Sequence, residues 1–171
     1  MRSRLRLPEA CEADLRAVRD RCEPWRSAET VCAFAPLPGE IDVLRDWPAA
    51  KRLALPRVNG ETLAFHWIDS AEDLVAGPFG TREPASGRPL AGTTFDLILV
   101  PGLAFDSMGG RLGRGLGFYD RFLETATGRF VGVCHPWQIV DAVPREDHDV
   151  RMDFLLTPDG IVDCPGGRLT P

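Results

Sequence analysis

Between residues 109 and 120 the chain reads GGRLGRGLGFYD. Five glycines alternate with two arginines, Arg111 and Arg114, and the run closes on Asp120. Glycine lets backbone approach an anion closely and leaves amide N–H groups free, while arginine brings positive charge to it. A carboxylate beside bound phosphates is where Mg²⁺ is usually held, with few protein ligands and several waters. Neither common phosphate signature fits. There is no GxxxxGK[ST], and Gly113-Arg-Gly115-Leu-Gly117 lacks the last glycine spacing of GxGxxG. By spacing alone, a phosphate loop and a plain glycine-rich turn with solvent-facing arginines both remain open.

The flanks say what must position this run. Leu97 to Val100 is a bare apolar strand stopped by Pro101–Gly102, and residues 118 to about 125 read as a helix with Asp120 in its first turn. Strand, glycine loop and helix N-terminus together suit an anion. In open α/β sheets ligands bind beyond the carboxyl ends of strands. That rule also selects Glu40 after a strand at 30–35, Asp106 after the strand at 97–100, and residues 135–138 after a strand at 129–134. Gln138 is a secondary candidate, and His135 and Trp137 are expected in the pocket wall. Asp147, Asp149 and Asp153 form a second acidic cluster, which reads alone as a solvated turn. His66, in an apolar strand, reads as a core residue, and Cys134 has no partner marking it as a nucleophile.

Elsewhere short apolar runs alternate with helical patterns. A helix is expected over 9–22 with Pro24 stopping it, a short helix over 41–47, and a strand over 51–55 ended by Pro56. Asn59–Gly60 turns the chain into a strand at 63–68. Ser70 caps a short helix with Asp73 as its capping-box partner. Residues 77–94 are 18 residues rich in Gly and Pro, and long loops of this kind are often binding loops or lids. A strand at 154–157 and the turn Pro158-Asp159-Gly160 end the chain in an edge hairpin. The expectation is a single α/β domain over 1–171, three-layered, with a mainly parallel central sheet and helices on both faces.

Composition narrows the class. With 171 residues, 44% hydrophobic and 26% charged, the chain suits one globular domain. A net charge of −5 argues against a nucleic-acid partner. No apolar run approaches the roughly 20 residues that span a bilayer, and the N-terminus lacks a signal-peptide core. Five scattered cysteines without a CxxC pair suggest neither zinc nor disulfides. A cytoplasmic, monomeric protein is expected.

The separated segments DLILVPGLAFD and GRLGRGLGFYDRFL, with PLPGEID, KRLALPRV, FGTREP and PREDHDVRMDFLLT around them, resemble the 5-formyltetrahydrofolate cyclo-ligase (5,10-methenyltetrahydrofolate synthetase) family over residues 28–160. The resemblance implies an enzyme that uses ATP and Mg²⁺ to convert 5-formyltetrahydrofolate, with or without a polyglutamate tail, to 5,10-methenyltetrahydrofolate, releasing ADP and phosphate. The formyl oxygen attacks the γ-phosphate, N10 then attacks the resulting carbon, and phosphate leaves. It further implies that Arg111, Leu112, Gly113, Arg114, Gly115, Leu116, Gly117, Phe118 and Tyr119 bind ATP. Residues Arg114 to Phe118 would also border the folate. Asp120 and Asp149 would hold Mg²⁺, Glu40 would contact the folate, and Arg114 and Asp120 would carry the catalysis.

Three positions depart from the pattern: Phe118 stands for a usual tyrosine, Leu116 for a lysine or glycine, and the family's basic K-x-x-L-R segment would fall before Met1. Arg2, Arg4 and Arg6 match the positions following that segment. A longer natural N-terminus is the expectation. The alternative is a non-catalytic folate- or nucleotide-binding paralogue lacking the ATP-phosphate arm.

Overall fold

The computed structural model describes residues 15–85, 87, 89–146 and 149–167. Helices α1 (Arg16–Arg19) and α2 (Glu23–Ser27) lead into β1 (Thr30–Cys32). Strands β2 (Arg52–Asn59) and β3 (Thr62–Ile68) form one hairpin, and β4 (Leu74–Ala76) and β5 (Arg82–Pro84) a shorter one. The chain continues through β6 (Thr94–Val100), β7 (Ala104–Asp106), β8 (Arg111–Leu112) and helix α3 (Phe118–Thr125). It ends with β9 (Thr127–Val133), β10 (Ile139–Val140), β11 (Phe154–Thr157) and β12 (Gly160–Asp163).

Seven strands make the central sheet in the order β12-β11-β9-β6-β1-β2-β3. The five inner strands are parallel, and antiparallel hairpin partners β12 and β3 close the two edges. The inner strands are apolar on both sides because both sides are covered. Leu97, Ile98, Leu99 and Val100 are successive residues, each at most 2% exposed. Alternate side chains feed separate cores. Val31, Leu53, Leu97 and Leu99 pack with Leu15 and Trp25 from the α1–α2 side. Cys32, Ala54, Ile98 and Val100 pack with Phe122 and Leu123 of α3. The three-layer α/β architecture expected from the sequence is therefore present, with few and short helices. At the foot of the sheet, Asp96 Oδ2 accepts Glu29 N–H at 3.0 Å and the Thr30 N–H and hydroxyl at 2.8 Å each, tying β1 to β6.

Several local expectations are corrected. Pro24 opens α2 rather than stopping a long helix, since a first-turn N–H has no helical partner to lose. Residues 9–14 of that expected helix lie outside the described residues. Residues 41–47 form turns. Asp42 Oδ1 accepts Leu44 N–H at 3.0 Å, a local bond that competes with the helix ladder. Pro56 lies inside β2, past Ala54 where the pairing with β1 ends, so its missing N–H costs no ladder bond on that side. The stretch 77–94 is partly ordered, carrying a 3₁₀ turn and β5. The Ser70–Asp73 cap is present around a 3₁₀ turn, with Ser70 Oγ accepting Glu72 N–H at 3.1 Å and Asp73 Oδ2 accepting Ser70 N–H at 3.0 Å.

Helix α3, the turn at Asn59–Gly60 into β3 and the hairpin at 154–163 follow the sequence reading. Gly117, the N-cap of α3, has φ +70°, a left-handed conformation that other residues adopt only with strain. This sharp entry turns the glycine loop back over the sheet.

Candidate active site

A cleft of about 920 Å³, counted out to bulk solvent, opens beyond the carboxyl ends of β1 and β6. Its floor is Phe34 and Ala35 after β1 with Pro101 and Gly102 after β6. Pro56 and Val58 of β2 and Leu63 of β3 make an apolar wall, because β2 and β3 run on past the end of β1. The β4–β5 hairpin contributes Phe79, Thr81, Arg82 and Glu83, and the glycine loop forms the remaining side. Of the residues selected from sequence, Glu40, Arg111, Gly113, Arg114, Gly115, Leu116, Gly117, Phe118, Tyr119 and Asp120 all line this one cleft.

Two do not. Leu112, in β8, is 40% exposed and lies off the lining. Asp149 is also absent from the lining, and its Oδ2 accepts Glu146 N–H at 2.7 Å. Asp147 lies outside the described residues, as do Arg2, Arg4 and Arg6. Asp153 is 4% exposed and its Oδ2 accepts Phe130 N–H at 2.8 Å, which makes it a tie between segments of the core. Among the described residues, no three His, Cys, Asp or Glu side chains are grouped to hold a metal.

Both loop arginines are held in place. Arg111, 6% exposed at its side chain, donates Nη2 to Asp120 Oδ1 at 2.5 Å and Nη1 to Pro101 O at 3.1 Å. Its guanidinium also lies 5.6 Å from the centre of the Tyr119 ring. Burial, with the negative charge of Glu40 adding to it, pushes the Tyr119 hydroxyl well above its ordinary pKa, so Tyr119 is a neutral donor. Arg114 reaches across the cleft and donates Nη2 to Glu40 Oε1 at 2.9 Å. Glu40 Oε2 accepts Leu37 N–H at 2.9 Å.

Three residues that shape the cleft or its loop escape sequence reasoning. Arg121 donates Nε and Nη2 to Glu61 O at 2.9 and 2.5 Å and Nη2 to Leu116 O at 3.1 Å, lashing the glycine loop to the β2–β3 turn. Nothing in its spacing signals this. Phe79 stands 67% exposed at the cleft mouth with φ +60°, its ring centre 6.4 Å from that of Phe118. Glu83 is 6% exposed in the wall. The long Gly/Pro-rich stretch marked their region but not the residues.

Other candidates serve the frame. Asp106 is 5% exposed; Oδ1 accepts Met108 N–H at 3.0 Å and Gly110 N–H at 2.9 Å, and Oδ2 accepts Val143 N–H at 3.0 Å. Burial works to raise its pKa, but those three donors and the charge of Arg145 outweigh it and hold the carboxyl below its ordinary value. Gln138 is buried and donates Nε2 to Gly102 O at 3.0 Å and Leu103 O at 3.2 Å, bracing the cleft floor from beneath. His135 and Trp137 stack at 5.4 Å but are not part of the cleft lining, contrary to expectation. His66 is a core residue, 4% exposed. Burial pushes the Cys134 thiol up to about 12, so it is no thiolate at neutral pH.

A sheet-end cleft walled by a glycine–arginine loop is common to many folds, so relatives decide the family. The model of the 5-formyltetrahydrofolate cyclo-ligase family matches residues 3–158. The chain belongs to this family. A 5-formyltetrahydrofolate cyclo-ligase of Mycolicibacterium smegmatis is 39% identical, covering 92% of this chain and 89% of the relative. The cyclo-ligase of Escherichia coli is 33% identical over 79% of this chain and 81% of its own length. Among solved structures, the 5,10-methenyltetrahydrofolate synthetase of Aquifex aeolicus superposes with a TM-score of 0.78 at 31% identity, covering 94% of this chain and 86% of that one. The synthetase of Mycoplasma pneumoniae, at 21% identity and a TM-score of 0.60, supports the fold. No helix among the described residues of this cyclo-ligase family member is long and apolar enough to cross a membrane.

Proposed function

We propose that the chain catalyses the ATP- and Mg²⁺-dependent conversion of 5-formyltetrahydrofolate to 5,10-methenyltetrahydrofolate, with release of ADP and phosphate. The observation that carries this reading is one cleft with two unlike halves. Arg111, Arg114 and Asp120 lie on the glycine loop or on the strand and helix that flank it, and Pro56, Val58, Leu63 and Phe79 give the cleft an apolar wall. The charged half suits a polyphosphate and the apolar half a flat heterocycle.

Arg111 and Arg114 put fixed positive charge where phosphoryl oxygens would lie, and Gly113, Gly115 and Gly117 line the same cleft. Because Arg111 is anchored at two points and Arg114 at one, little reorganisation is needed when charge develops. Asp120 offers a hard, half-exposed carboxylate on the cleft wall, which fits Mg²⁺; Asp149, set apart from the lining, is the second proposed ligand. Such an ion neutralises phosphate charge when bound. Phe79 and Phe118 narrow the mouth and limit water.

In this reading Glu40 fixes Arg114 and keeps acceptor positions on both oxygens for the folate. Glu40→Gln keeps the backbone bond but weakens the pair. Turnover is expected to fall about tenfold with a melting temperature within about 2 °C of wild type. An unchanged kcat would reduce the pair to an ordinary ion pair without catalytic weight.

The decisive assay mixes protein, 5-formyltetrahydrofolate, ATP and Mg²⁺ and follows the near-ultraviolet absorbance of the methenyl product. The signal is expected only with all components present. Tight folate binding with no turnover would instead support a non-catalytic paralogue. The protein is proposed to act as a monomer in the cytoplasm on a small-molecule folate, with no nucleic-acid or membrane partner.

A further inference from the structure

Two carboxylates are buried in the cleft wall, and they are in different states. Glu40 has a partner on each oxygen, Arg114 on one and Leu37 N–H on the other. Glu83 accepts one hydrogen bond among the described residues, from Val58 N–H to Oε1 at 3.1 Å, and no cation pairs with it there. A carboxylate has about four acceptor positions on its two oxygens. Glu83 Oε2 has no protein partner among the described residues and is not sealed from solvent, so water or a ligand in the cleft can supply its donors.

The position of Glu83 is also fixed. Its strand β5 holds it against β2, and a Cβ placed on Gly77 would come within 2.5 Å of Glu83 Cγ and Cδ, so the side chain fills the space that Gly77 leaves. Around it lie Pro56, Val58, Leu63 and Phe79, an apolar slot with an aromatic edge. A carboxylate with one oxygen open to the cleft, at the edge of such a slot, suits a planar heterocycle that presents adjacent N–H donors along one side. An aminopyrimidinone ring has that edge.

We propose that Glu83 is the specificity-determining acceptor of the cleft, its Oε2 receiving the 2-amino and N3–H donors of the substrate's pterin ring. This assignment rests on the folate reading given above. It divides the labour between the two glutamates: Glu40 orders the charged half, and Glu83 reads the heterocycle.

Calorimetry on the full chain with 5-formyltetrahydrofolate and with its 2-desamino-2-methyl analogue tests the assignment. Wild type is expected to bind the parent compound about 10- to 100-fold more tightly than the analogue, the effect of one charge-assisted hydrogen bond. Glu83→Gln retains an oxygen for Val58 N–H. It is expected to bind the parent about 10- to 100-fold more weakly and to discriminate by less than about threefold. Parent binding unchanged in Glu83→Gln, or discrimination retained there, overturns the assignment while leaving the folate reading intact. Wild type that fails to bind the parent overturns both. A melting curve checks that the variant folds; if it does not, wild-type binding decides, and equal affinity for the two compounds sinks the proposal.

Discussion

Asp120→Asn is expected to lose ATP-dependent turnover by about 10²- to 10³-fold, the scale seen when a preorganised charge is removed from a phosphoryl or acyl site. Two effects act together. The substitution removes the hard anionic oxygen offered to Mg²⁺, and it weakens the partner that orients Arg111. They separate in a magnesium titration. Loss of metal affinity raises the Mg²⁺ concentration needed for half-maximal rate, whereas misplacement of Arg111 lowers the plateau at saturating Mg²⁺. The Asp120 side chain is 49% exposed, so the fold does not depend on it and the melting temperature is expected to stay within about 2 °C. Turnover within threefold of wild type would remove Asp120 from the site.

Asp106→Ala is expected to have the largest effect on stability, about 3–5 kcal/mol, because it leaves the N–H groups of Met108, Gly110 and Val143 without their acceptor in a buried place. Urea unfolding measures this directly. The pH dependence has a definite sign. The folded-state pKa lies below the unfolded value of about 3.9, so the native state binds fewer protons. The stabilisation is fully present above the unfolded pKa and is lost as pH falls through the lower folded value. Comparing wild type with Asp106→Asn isolates this group from other carboxylates such as Asp96, whose hydrogen bonds from Thr30 and Glu29 lower its pKa too. The stability gap between the two proteins is expected to hold from pH 7 to about 5 and to narrow towards pH 3. A gap independent of pH would mean that the carboxylate charge contributes nothing there.

The parts of this molecule readable from sequence share a physical property: their signal is local. Residues 97–100 are apolar on both faces because the strand is covered on both, and α3 begins where a glycine must adopt positive φ and ends within a turn of its last apolar residue. What stayed hidden depends on distant partners. The hairpin of β7 and β8 is three residues against two, too short for any alternation, and is held by Asp106 from inside the turn. The strand β5 looks like loop until β4 lies beside it. Arg121 and Glu83 gain their roles only from the β2–β3 hairpin, through Glu61 O and Val58 N–H. The glycine loop was legible as a pattern with two meanings, and the facing wall across the cleft, which no local window contains, is what favours one.

The tie between Asp96 and Thr30 spans 66 residues of chain, and the parallel pairing of β1 with β6 depends on closing that span. Such closure is entropically slow, since a long loop must be ordered before its contacts repay the cost. The hairpins β2–β3 and β11–β12 can form early, because their partners are neighbours in the chain. The central strands that carry the cleft floor therefore bear more of the loop-closure cost than the edge hairpins do, and the site exists only once that cost has been met.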